Sequence, residues 1–173
     1  KRNTPRRGTP RRNTMKRWSL RRRAIVGLLA SFVLQVIPLP AVLDWFRPSF
    51  AVIAVLYWSI AAPGWGGVGL GFLMGLALDA YLGVVLGQHA LATALVAYIA
   101  IRQHLIIRNK SMFEQTFYIA GLLLLWQIVV WIIDGWTGHA LGSWTRLLPI
   151  VTGTLLWPFA WEWLGGDLSR SRR

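Results

Sequence analysis

Apolar residues fall into six stretches along the chain, roughly Ala24 to Leu39, Pro48 to Ala62, Gly66 to Leu82, Gln88 to Ile107, Phe113 to Ile133 and Trp144 to Leu164. The breaks between them are short and carry proline, glycine or charge. A helix needs about 20 apolar residues to cross a bilayer, so each stretch reads as one span, the second and third being short or leaning on their flanks. About 25 residues per stretch leave room for a span and a short loop, and for no separate soluble domain. The predicted fold is therefore an all-α integral membrane protein of six transmembrane helices over residues 24–164, with basic cytoplasmic tails at 1–23 and 165–173. Composition agrees: 55% of the residues are hydrophobic and 11 of 173 are Trp, more apolar surface than a soluble domain of this size can bury.

Charge then sets orientation. Residues 1–23 hold eleven Lys/Arg and no acid, while the rest of the chain holds eight against six Asp/Glu. Under the positive-inside rule the N-terminal tail, the Arg102, Arg108 and Lys110 loop and the C-terminal Arg170, Arg172 and Arg173 face the cytoplasm; the outer loops hold only Arg47 and Arg146. Both termini are expected inside. The tail repeats basic pairs among Thr, Pro and Gly, a composition that favours disorder, and Arg21, Arg22 and Arg23 sit where anionic phospholipid headgroups would meet them. "RRRAIVGLLASFVLQVIPLP" has the order of a signal peptide but no clear cleavage site, and reads as a retained first span. Despite the pI near 11.7, residues after the tail lack the mixed polar face of a nucleic-acid module, so no nucleic acid is expected as a partner.

Few residues can carry chemistry. Without Cys there is no thiolate metal site or cysteine nucleophile, and neither the hydrolase elbow, the zinc-protease helix motif nor the phosphate-binding loop occurs. Ionisable residues inside spans are nearly limited to Asp79 and Glu162, so catalysis, metals and cofactors are not expected.

Asp79 is costly in an apolar span unless it faces protein or water and has a partner. Arg47, at the outer start of the second span, can reach it. Asp44 is a competing partner for Arg47, and snorkelling to phosphates is a third arrangement. Gln88 and His89 start the fourth span near Asp79 and form either a polar outer pocket with it or simply a capped helix start. Pro48 suits the first turn of a helix and Pro63 a stop. Tyr57 and Trp58 are partner or pocket candidates, with core or lipid-facing packing as their commoner use. Gly67, Gly71 and Gly75 recur every four residues, a spacing that lets helices approach closely, either within this chain or across a dimer seam. Asp134 ends the fifth span and is expected at the surface; Pro158 should kink the sixth.

Taken in order, "LQVIPLP", "FRPSFAVIAVLYWSIAAP", "GVGLGFLMGLALDAYLGVVLGQHALATALVAYI" and "GTLLWP" resemble the rod shape-determining MreD family of Gram-negative bacteria. The resemblance covers roughly residues 30 to 160 and marks, among others, Arg47, Pro48, Tyr57, Trp58, Pro63, Gly71, Gly75, Asp79, Trp157 and Pro158. It implies a noncatalytic inner-membrane scaffold of the cell-elongation machinery that binds MreC, and through it the filament protein MreB and the peptidoglycan polymerase and transpeptidase. It further implies a fold similar to the substrate-binding S-components of energy-coupling factor transporters. The alternative function that follows from that likeness is a membrane binder of a small molecule or lipid-linked precursor.

Overall fold

The computed structural model describes residues 10–38, 40, 45–64, 66–138 and 144–165, and within these the side chains from Arg22 to Trp163. Among the described residues all regular structure is helical: α1 Pro10–Val36, α2 Phe50–Ala61, α3 Val68–Leu82, α4 Gln88–Arg102, α5 His104–Asn109, α6 Met112–Trp136 and, after a 3₁₀ turn at Trp144–Leu147, α7 Leu148–Gly165. Each of the six apolar stretches carries a helix, and the fourth is split at Gln103, which joins α4 to α5.

The hub is α2. Its residues Ala51 to Ile60 are all buried, and it packs against α1, α3, α4, α5 and α7. A helix apolar on every side fits such a site, because each face meets another helix. Its limits follow from the flanking prolines. The helix starts at Phe50, two residues after Pro48, with Ser49 as N-cap; the expected start at Pro48 is thus displaced. At the other end Pro63 pushes Ala62 out of helical geometry, leaving Ala61 as the last helical residue.

These limits change the expected picture of six full spans. At 1.5 Å per residue α2 is about 18 Å long and α3 about 22 Å, short of the roughly 30 Å hydrocarbon layer. By length and composition only α6 among the described helices can cross a membrane alone. Of α1, the part before Ala24 is basic, so a long helix has a short apolar half.

The tail also differs from expectation: α1 begins at Pro10, so residues 10–23 are helical rather than disordered. Arg, Lys, Leu and Met extend a helix at little cost once it is nucleated downstream, because each added residue gains one hydrogen bond. Arg21 lies on this helix, and Arg22 and Arg23 are exposed on it. Residues 1–9, Asp44, Trp65, His139 and 166–173 lie outside the described residues.

Helices α3 and α4 form an antiparallel hairpin, and glycine decides how close they come. A Cβ on Gly75 would lie 2.4 Å from Ala90 Cα, and one on Gly71 would lie 3.0 Å from Ala97 Cβ. The small-residue seam is therefore internal. Gly67, the N-cap of α3, is not part of it: the nearest atom to its missing Cβ is Gly69 N at 3.9 Å. Gly66, unmarked by any spacing, packs directly on the end of α2, where a Cβ would meet Trp58 backbone atoms at 2.4 Å.

Helix α6 starts with a full capping box: the Glu114 amide donates to Ser111 Oγ and the Ser111 amide to Glu114 Oε2. Lys110 adds an exposed pair to Glu114 at 3.1 Å.

Candidate functional site

The features marked in the sequence separate into a buried clasp, an outer cavity and an aromatic core. The clasp is Asp79, fully buried in the last turn of α3. Its Oδ2 accepts from the amide of Gly87 at 2.9 Å and of Ala90 at 3.3 Å, and its Oδ1 accepts from the amide of His89 at 2.8 Å. His89 Nδ1 lies 2.8 Å from the same Oδ1. A carboxylate can only accept, so Nδ1 carries the proton. Asp79 thus caps the N-terminus of α4 from the neighbouring helix, satisfying amides that an isolated helix end leaves without partners and placing negative charge at the positive end of its dipole.

The turn makes this reach feasible. Gly83 (φ +65°) and Gly87 (φ +105°) occupy left-handed backbone positions that bring α4 back over α3. The partner of Asp79 is therefore His89 and the α4 amides, and the Arg47 contact is not made. Arg47 instead donates to carbonyls at the end of α1, to Gln35 at 2.6 Å and to Ile37. Gln35 Oε1 in turn accepts from the Phe50 amide at 3.0 Å, joining α1 to the start of α2.

Above the clasp lies a cavity of about 490 Å³ whose walls include Gln35, Arg47, Tyr81, Gln88, His89 and Asp134, together with Trp126, Gln127 and Arg146. Gln88 and His89 both line this cavity, and Asp79 lies behind its wall rather than lining it. Asp134, expected at the surface, is buried at 5% exposure. Its Oδ1 accepts from Gln88 Nε2 at 2.6 Å and its Oδ2 from Arg146 at 2.5 Å, which explains how a carboxylate can be held inside. Arg146 drew notice in the sequence only as an outer charge. The clue was its place across a short connection from Asp134, the only other charged residue there. Replacing Arg146 with Met should leave the buried Asp134 carboxylate without its half-exposed cation and cost on the order of 1 kcal/mol. Thermal melting of the purified variant checks this; the double variant with Asp134→Asn should recover much of the loss, and equal melting of all three proteins would refute the coupling.

Tyr57 and Trp58 take no part in this cavity. Both are buried in α2, and the Tyr57 ring packs against Trp58, Trp157 and Trp161 at centroid distances of 5.1, 6.5 and 5.6 Å. The aromatic residues of the second and sixth stretches thus form one core cluster, the packing use of these residues. Pro158 sits within α7 beside it.

Residues 20–164 match the family of the rod shape-determining protein MreD. The chain belongs to the MreD family. Its similarity extends to a curated relative, the rod shape-determining protein MreD of Haemophilus influenzae, which is 31% identical over 129 residues, covering 75% of this chain and 80% of that protein. No solved structure matches the chain. MreD membership carries a role in determining rod shape, in a family that is membrane-associated and not known for enzymes. The clasp, the glycine seam and the cavity wall all fall within the matched span.

Proposed function

We propose that this MreD-family chain is a noncatalytic scaffold of the bacterial inner membrane, with both termini cytoplasmic, that holds the membrane anchor of MreC. Through MreC it supports MreB and the elongation polymerase and transpeptidase during lateral peptidoglycan synthesis. Arg21, Arg22 and Arg23 steady α1 against anionic phospholipid.

The observation that carries the MreC contact is an apolar groove between α1, α2 and α7. It encloses about 250 Å³ and is walled by Gly27, Ala30, Leu34, Ile53, Phe159 and others. Gly27 and Ser31 stand four residues apart on α1, so a second helix can approach its backbone closely. Ser31, the polar side chain in the groove, donates to its own helix at Leu28 O (2.7 Å) and asks nothing of a visitor. An apolar anchor helix suits such a surface. Asp79 is fully buried, so the contact proposed here runs along α1 rather than through its carboxylate.

Depleting the protein in its rod-shaped host should round the cells, and re-expression should restore them. The Ala30→Trp variant, which fills the groove from its exposed side, should remain monodisperse in detergent, lose at least about tenfold in MreC co-purification and fail to restore the rods. Wild-type co-purification by this variant would remove the groove, and unchanged cell width on depletion would remove the scaffold.

A further inference from the structure

At the outer end of the bundle, buried polar side chains hold hydrogen-bonding capacity that the protein does not use. Gln88 is 3% exposed, and its Nε2 is committed to the Asp134 carboxylate. Since a carboxylate only accepts, the amide cannot be turned round, and the remaining acceptor Oε1 is buried and unpartnered. Gln127, on α6, is 6% exposed and finds no hydrogen-bond partner among the described residues. His89 donates its Nδ1–H to Asp79, and Nε2 is the ring nitrogen left for a further hydrogen bond. All three line the same cavity as Trp126, whose indole N–H is already used by Thr93 Oγ1 at 3.1 Å.

Buried polar atoms in native proteins are nearly always paired, so Gln88 Oε1 marks a place where pairing comes from outside, and Gln127 and His89 line the same cavity. The cavity volume of about 490 Å³ lies within the usual range for small-molecule sites. Charge gives the ligand's sign. The wall carboxylate Asp134 is matched by Arg146, and Arg47 is engaged with the Gln35 and Ile37 carbonyls, so the hydrogen-bonding groups left for a ligand are uncharged.

We infer that the cavity binds a neutral, hydroxylated ring of the sugar class, its hydroxyls donating to Gln88 Oε1 and exchanging hydrogen bonds with His89 Nε2 and the Gln127 amide, one ring face against Trp126. Such a ring can arrive as a free sugar or as the headgroup of a glycolipid, and the cavity chemistry is the same for both. The site is separate from the α1 groove and stands whether or not that groove holds MreC.

The test places the full chain in phosphatidylcholine nanodiscs prepared without sugar detergents. Methyl β-glucoside is the free probe, octyl β-glucoside the lipid-linked probe, and octyl tetraethylene glycol ether the chain-only control, with thermal melting and calorimetric titration as readouts. A saturable rise in Tm with either glucoside beyond the control is expected; a response to the methyl glucoside assigns a free sugar, and a response to the octyl form alone assigns a glycolipid headgroup. Gln127→Leu breaks none of the observed hydrogen bonds, so it should fold normally and weaken binding by about tenfold or more. Gln88→Met, which also gives up the Asp134 bond, serves as the second variant, read by affinity alone. No response from either glucoside, or wild-type affinity in both variants, overturns the assignment; so does a tenfold preference for glucose 6-phosphate over glucose.

Discussion

Asp79→Ala should be the most damaging single substitution in the helical hairpin. It removes the acceptor of the Gly87, His89 and Ala90 amides and of the His89 ring in one step. Leaving a buried donor unsatisfied costs about 1–3 kcal/mol, and the four here share one site, so a loss on the order of 4 kcal/mol is expected. The protein should leave detergent extraction aggregated or melt far below the wild type. Asp79→Asn should recover part of the loss, because its carbonyl oxygen still accepts while its NH₂ group faces a donor. The outcome to look for is size-exclusion monodispersity and Tm. A monodisperse Asp79→Ala protein melting within a few degrees of wild type would show that the clasp contributes little, and loss of rod shape without loss of folding would return Asp79 to an interface role.

The second large effect is expected at Gly75. An alanine there puts its Cβ 2.4 Å from Ala90 Cα and 2.5 Å from the His89 carbonyl oxygen, both backbone atoms that cannot turn aside. Relief requires α3 and α4 to separate, which also strains the Asp79 clasp directly above. Overpacking typically costs about 1–3 kcal/mol, and the backbone position of these contacts puts Gly75→Ala at the upper end. Gly71→Ala, facing the Ala97 methyl at 3.0 Å and the Thr93 carbonyl oxygen at 3.1 Å, should cost less. Gly67→Ala meets nothing closer than 3.9 Å and should be nearly silent. Melting temperatures of the three variants should therefore fall in the order Gly67, Gly71, Gly75, and a uniform effect across the series would mean that helix propensity rather than close packing governs these positions.

Three linked stabilising features explain why the hairpin is so tightly specified. The glycine seam sets the distance between α3 and α4, the left-handed glycines at 83 and 87 set the turn, and Asp79 closes the end. Each one depends on the others: the carboxylate reaches the α4 amides only at the helix spacing that the glycines allow.

What the sequence determined by itself was the helical class, the number of apolar stretches, the asymmetry of charge and the family. Those properties are written in composition and in local order along the chain, where hydropathy and Lys/Arg counts are additive. The sequence also marked Asp79, Gln88, Gly71 and Gly75 as residues needing a partner. Tertiary structure alone decided which partner each one took. Nothing in the spacing distinguishes an Arg47 carbonyl clamp on α1 from an Arg47 to Asp79 pair, because the choice depends on a turn geometry set by two glycines. Likewise the buried Asp134 paired with the half-exposed Arg146, Tyr57 and Trp58 entered the core, and the basic segment from Pro10 joined a helix, since burial and pairing are properties of neighbours distant in sequence and of the hydrogen bonds they leave unmet.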